Sequence, residues 1–223
     1  MEKSIRTLTV FYDIAISPKE IPLFRGAVIK TVGEKVNLLY HNHTGDDTYR
    51  YAYPLIQYKR LNGKAAITCV EEGAEIIGQF LSEASDPIMI GERETNCDVA
   101  HVLSDKTTVR IQDESAEYHL YHWLPLNSKN YQLYQKAGSM VEKIGILENV
   151  LAGNILSFLK GMDIRLDEKF ELHITDIINQ KTVRYKNVRL MAFDIDFKAN
   201  ISLPSYIGIG KNASIGCGVL TTK

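Results

Sequence analysis

Leu55-Ile56-Gln57-Tyr58-Lys59-Arg60-Leu61-Asn62-Gly63-Lys64-Ala65-Ala66-Ile67-Thr68-Cys69-Val70 reads as two strands, Leu55 to Tyr58 and Ala65 to Val70, folded about Asn62-Gly63. Asn-Gly between apolar runs is the strongest short-range hairpin signal. The tight turn that matches strand twist needs positive φ at both central positions, which these residues adopt at low cost. The flanks of this hairpin decide the fold. Ser4 to Ile16, rich in Val, Leu, Ile, Thr, Phe and Tyr, predicts a strand. Ser17-Pro18 supplies a cap and a first-turn proline, and Ile21, Leu23, Phe24, Ala27 and Val28 follow at helical spacing until Gly33. Beyond the hairpin, Ala74 to Leu81 predicts a short helix, Ile88-Met89-Ile90 a short strand and Val99 to Ile111 another. Strand, helix, strand, strand, helix, strand is the split β-α-β order of a ferredoxin-like domain.

The same order recurs downstream. Glu117 to Leu124 predicts a strand, Ser128 to Ala137 and Ser139 to Gly161 two helices. Phe170 to Ile178 and Thr182 to Ala199 predict a hairpin around Asn179-Gln180. Leu203 to Gly210 takes the place of the second helix, and Ile215 to Thr222 closes the chain as a strand. The expectation is an α+β protein of two tandem ferredoxin-like, RRM-like domains, residues 1–112 and 113–223.

Composition sets limits on partners. With 45% hydrophobic and 24% charged residues the 223-residue chain is globular in type. A net charge of −1 excludes a global positive field, so a nucleic acid would have to be held by local basic patches. Cys69, Cys97 and Cys217 are odd in number and far apart, as expected of reduced thiols in a cytoplasmic protein. No membrane-length apolar run is present, so no membrane partner is expected.

Two stretches carry candidate chemistry. The first, Leu38 to Lys59, concentrates His41, His43, Tyr49, Tyr51, Tyr53 and Lys59 around a Gly45-Asp46-Asp47 turn. Histidines two apart on an extended backbone share a face, and imidazole titrates nearest neutrality, so the pair can act as general base and general acid. The bland alternative is two polar residues on a half-exposed loop. A metal site is disfavoured because no Cys or third His lies close by. Tyr49, Tyr51 and Tyr53 alternate, and read equally as proton-transfer groups, a stacking platform for bases or core packing. The second stretch runs from Tyr206 to Leu220 and holds two Gly-x-Gly pairs, Gly208/Gly210 and Gly216/Gly218, with Lys211 between. Its backbone can approach a ligand closely and line a phosphate, or it can be a bulged β-connection. It is neither a P-loop nor a dinucleotide fingerprint, so no nucleotide cofactor is expected. In the basic hairpin of Lys181, Arg184, Lys186 and Arg189, Arg184 and Lys186, at strand spacing, can follow successive phosphates or simply protect an edge. His101, His119, His122 and His173 read as structural histidines.

Together the two stretches resemble the CRISPR repeat-processing endoribonucleases of the RAMP superfamily. The resemblance rests on the Gly-x-Gly…Gly-x-Gly loop, on His41-Asn42-His43 followed by Tyr51-Ala52-Tyr53-Pro54, and on Phe24-Arg25-Gly26-Ala27, similar to the family's Leu-Arg-Gly-Ala helix. It implies tandem ferredoxin-like domains and cleavage of precursor CRISPR RNA within repeats. The cleavage would proceed without metal or other cofactor, leaving a 2′,3′-cyclic phosphate and a 5′-hydroxyl. On this resemblance His41 and His43 are the proton-transfer pair, Tyr49 or Tyr51 assists, and Lys59 stabilises phosphate charge. Gly208, Gly210, Lys211, Gly216, Gly218, Arg184 and Lys186 hold RNA. Other CRISPR effector subunits and a second copy of the chain are further expected partners. The competing expectations are a RAMP subunit that holds guide RNA without cutting, and a small-molecule or protein-interaction module.

Overall fold

The computed structural model describes residues 3–32, 43–44, 48–49, 53–83, 87–185 and 187–223. Contacts divide them into two units. One gathers Ile5–Thr107 with Ser214–Gly216, the other Met1–Ser4, Thr108–Ala213 and Cys217–Lys223.

In the first unit β1 (Lys3–Ala15) leads through a 3₁₀ turn, Pro18–Glu20, into α1 (Ile21–Thr31). The Ser17 amide donates to Glu20 Oε2 at 2.7 Å, occupying one of the amides a helix start leaves unpaired. Two-residue strands β2 (His43–Thr44) and β3 (Thr48–Tyr49) pair with each other. Then come β4 (Ile56–Leu61) and β5 (Lys64–Val70), joined as predicted by Asn62 and Gly63, at φ 49° and 84°. α2 (Glu72–Glu83), the small hairpin β6 (Ile88–Ile90) and β7 (Arg93–Thr95), and β8 (Val99–Val109) complete the unit's elements. The main sheet has the order β4-β5-β1-β8. Counting only the four long strands this is second, third, first, fourth, the ferredoxin-like order. Its core is Tyr12, Phe24, Val28, Ile56, Tyr58, Ile67, Ile77 and Phe80, which α1 and α2 press onto one sheet face. Tyr12, Phe24 and Phe80 meet edge to face. The other face of β4 and β5 is polar yet buried, holding Gln57, Lys59 and Thr68.

The second unit repeats the plan with β9 (Ile111–Trp123), α3 (Ser128–Lys136), α4 (Met140–Gly161), β10 (Leu172–Tyr185), β11 (Val188–Ile201) and β12 (Val219–Thr222). The sheet order β10-β11-β9-β12 is again second, third, first, fourth. α4 buries Leu147, Leu151, Ile155 and Phe158, spaced three and four apart along one stripe. Between β11 and β12 the described chain holds only the 3₁₀ turn Ala213–Ile215, so the second helix of the plan is replaced by the glycine-rich segment.

One local expectation is corrected. The β10–β11 hairpin does not turn at Asn179-Gln180. Its ladder runs on to Arg184↔Arg189 and Tyr185↔Val188, so the strands are still paired well beyond Gln180. Asn179 and Gln180 sit inside the strand because a register shift between Ile177 and Asn179 absorbs one residue and both side chains find partners. Asn179 Nδ2 donates to Asp194 Oδ2 at 3.0 Å, and Tyr134 Oη donates to Gln180 Oε1 at 3.2 Å. The C-terminal strand is also shorter than predicted, beginning at Val219 rather than Ile215. Among the described residues no helix is long and apolar enough to cross a membrane.

Candidate active site and nucleic-acid interface

The histidine stretch is described only in part. His41 and Tyr51 lie outside the described residues. His43 and Tyr49 are described as backbone, and they stand directly opposite each other in the β2–β3 ladder, with Thr44 opposite Thr48. Six residues of sequence separation thus become a cross-strand pair.

Lys59 lies on β4, fully buried, and its Nζ donates to Gln57 Oε1 at 2.9 Å. Gln57 Nε2 in turn donates to the Pro54 carbonyl at 2.8 Å. A buried ammonium is costly unless hydrogen-bonded, and this chain of donors and acceptors holds it in place. Ser214–Gly216 groups with the same unit. A Cβ on Gly216 would come within 2.9 Å of Ile21 Cδ1 and 3.3 Å of the Tyr58 carbonyl oxygen, so backbone runs against backbone beside Lys59.

The remaining loop glycines belong to the second unit. Gly208 bridges Val219, and a Cβ there would meet Ala213 Cβ at 2.8 Å. A Cβ on Gly210 would sit 2.6 Å from Asn154 Oδ1, the atom that accepts the Trp123 indole N–H at 3.0 Å. Gly218 has φ 62°, and a side chain there would overlap the Ile209 carbonyl oxygen. Its own amide donates to the His122 carbonyl at 3.2 Å, and its carbonyl accepts the Ile209 amide at 2.7 Å. Close approach within the protein therefore accounts for these glycines by itself. Lys211 is exposed between them.

Arg184 is near the end of β10, opposite Arg189, and its Nη2 reaches Asn187 Oδ1 at 3.4 Å. Lys186 lies outside the described residues, and the strand face expected to join it to Arg184 ends at Tyr185.

Two histidines that read as structural have specific partners. His119 Nδ1 lies 2.6 Å from Asp196 Oδ1, and Lys223 Nζ bonds the other carboxylate oxygen. Burial pushes the Asp196 carboxyl up, but the bonds from Lys223 and His119 outweigh it and hold the group below its ordinary value. His122 has φ 50° and donates its amide to Asp194 Oδ1 at 2.7 Å. Burial and then Lys181 lower its imidazole pKa, with Asp194 opposing. No single sequence motif marks this cluster, because its members come from β9, β10, β11 and the C-terminal Lys223.

Comparison with known proteins covers the whole chain. The model of the Cas6b N-terminal domain matches residues 3–108 and that of the Cas6b C-terminal domain residues 110–223. A crystal structure of Cas6b is similar at TM-score 0.87 and 26% identity, over 99% of this chain and 100% of that one. A crystal structure of CRISPR RNA processing endoribonuclease Cas6b shares the fold at TM-score 0.77 and 23% identity, with the same coverage. An uncharacterized protein of Methanocaldococcus jannaschii is 35% identical over 96 residues, and the match spans 43% of this chain and 64% of that relative. With both halves matched by the two domains of one family, in their order and over nearly the full length, the chain belongs to the Cas6b family.

Proposed function

We propose that the protein is a metal-independent endoribonuclease that cuts precursor CRISPR RNA within its repeats. The observation that carries this reading is Cas6b membership across both halves of a chain whose paired histidines fall in the N-terminal one. The solved relative described as a CRISPR RNA processing endoribonuclease points the same way.

In this reaction one imidazole removes the proton of the ribose 2′-hydroxyl, whose oxygen attacks the adjacent phosphorus. The bond from phosphorus to the 5′-oxygen breaks, and a second group returns a proton to that oxygen. The products are a 2′,3′-cyclic phosphate and a 5′-hydroxyl. His43 is the favoured catalytic imidazole, with His41 as the second. Tyr49, opposite His43 in the backbone register, or Tyr51 orients the nucleophile or protonates the leaving oxygen. Lys59 is the group that stabilises the phosphate charge. The N-terminal domain, residues 1–112, carries the chemistry, while residues 113–223 hold RNA through the glycine-rich loop, Lys211, Arg184 and Lys186. The protein acts in the cytoplasm, and other effector subunits or a second copy join it there.

The test is incubation of purified protein, in EDTA, with a labelled repeat RNA and with a copy carrying a 2′-deoxy residue at the cut site. Cleavage of the first alone is expected. Binding of both without cleavage would move the assignment to a guide-RNA-holding RAMP subunit. His43→Ala is expected to abolish cleavage while keeping RNA affinity within about threefold, since it removes a proton-transfer group and no phosphate contact. Normal cutting by that variant would remove His43 from the mechanism.

A further inference from the structure

We propose that His122 and Lys181 form a phosphate subsite at the root of the glycine-rich loop, taking one backbone phosphate of the RNA. The inference rests on the RNA-processing reading and joins to Lys181, a member of the basic hairpin, a residue that no motif marks, His122.

A register fault shapes this corner of the sheet. In the β9–β11 ladder Leu120 is opposite Ile195 and Trp123 opposite Phe193, so Tyr121 and His122 together face the single residue Asp194. A bulge of this kind re-aims a side chain. His122 adopts φ 50°, a conformation disfavoured for residues with a Cβ, and both its backbone groups are occupied. Its amide donates to Asp194 at 2.7 Å and its carbonyl accepts the Gly218 amide at 3.2 Å. These bonds fasten the bulge of β9 to β11 and to the glycine-rich loop, while among the described residues the imidazole itself has no hydrogen-bond partner.

Lys181 approaches from β10. Its Nζ stands 4.0 Å from Asp194 Oδ2, and its side chain is 47% exposed, against 17% for Asp194. Asp194 is already engaged by the His122 amide and by Asn179 Nδ2 at 3.0 Å. The groups facing the imidazole are then Lys181 from β10 and Asp194 from β11, while the loop contributes the uncharged Gly218. The same loop is anchored to the hairpin that carries Lys181, since Cys217 is buried with Leu124 and Ala192 against Val183 and Leu190. Lys181 and the bulged His122 thus flank the one engaged carboxylate of Asp194 beside the loop. A phosphodiester fits that arrangement by accepting from both.

Occupancy has a sign. Burial and Lys181 disfavour the imidazolium in the free protein. An anion between the two cations favours it, so binding takes up a proton and affinity rises as pH falls.

The experiment measures anisotropy of a labelled repeat RNA blocked by a 2′-deoxy residue at the cut site. Wild-type protein, His122→Asn and Lys181→Met are titrated at about pH 6 and about pH 8, and over a salt series. Asparagine is chosen because it tolerates left-handed φ. The wild type should bind several-fold tighter at the lower pH. His122→Asn should lose about fivefold at that pH and most of the pH dependence. Lys181→Met should weaken binding at both pH values and reduce the salt slope by about 0.7. Unchanged thermal midpoints exclude a folding cause, and Lys181→Met serves as the test if His122→Asn is unstable. Variants that keep wild-type affinity, pH profile and salt slope would overturn the subsite while leaving RNA binding intact. A wild type that binds no repeat RNA would overturn the function itself.

Discussion

The two ferredoxin-like units share a strand order but connect their third and fourth strands differently. The N-terminal unit uses α2, a helix that satisfies its own backbone, between β5 and the later strands. The C-terminal unit has no α-helix there among the described residues, and residues 202–218 must find partners one by one. The Tyr206 amide goes to the Leu220 carbonyl, Ile209 to Gly218, Gly218 to His122 and Cys217 to Asn212. A helix tolerates most residues at such positions. A segment woven through other backbone tolerates only those that leave room, which is why the glycines collect here.

Comparing glycines between the units tests this most strongly. Gly218→Ala is expected to destabilise the protein by about 3 kcal/mol or more, since a positive φ and a clash with a carbonyl coincide there. Gly63→Ala, also at positive φ but with nothing nearer than Arg60 Nη2 at 3.5 Å, is expected to cost only about 1 kcal/mol. Urea denaturation of both variants checks the ranking, and equal losses would break it.

A smaller effect separates the sheets' electrostatics. Asp196 in the C-terminal sheet carries a lowered pKa through Lys223 and His119 after burial has pushed the other way. A depressed carboxylate stabilises the fold above its unfolded pKa of about 4 and loses that contribution as pH falls through the folded value. Asp196→Asn should therefore cost about 1–2 kcal/mol near neutrality and show a flatter loss of stability on the acid side. An unchanged acid limb in thermal melts would remove Asp196 as its source.

The smallest difference concerns thiols. Burial, then the neighbouring Asp98, pushes Cys97 up to about 12, and burial pushes Cys69 up as well. Native protein at about pH 8 should react slowly with a thiol reagent at both N-terminal cysteines, and fully only on unfolding. Rapid labelling of Cys97 in the native state would show that it opens locally.

Local chemistry made much of the fold legible. Asn62-Gly63 announced a turn because the conformation it needs belongs to those two residues. The stripe on α4 and the capped start at Ser17 were readable for the same reason, and so was the replacement of the second C-terminal helix by the glycine-rich segment. Asn179-Gln180 misled because polar residues suited to a turn are equally suited to a bulged strand once Asp194 and Tyr134 bond them. The resemblance that pointed to the family rested on residues near both ends, and both matched domains bear it out.

The candidate site divides along the same line. The spacing of His41 and His43 and of the two Gly-x-Gly pairs is a property of the chain, and was visible in it. That Lys59 is buried against Gln57, that Gly218 must clear a carbonyl, and that His122 sits in a bulge bonded to Asp194, with Lys181 beside that carboxylate, were decided only by tertiary structure. Each depends on residues far apart in sequence meeting across strands, and register between strands is set by the packing of the whole sheet rather than by neighbours along the chain.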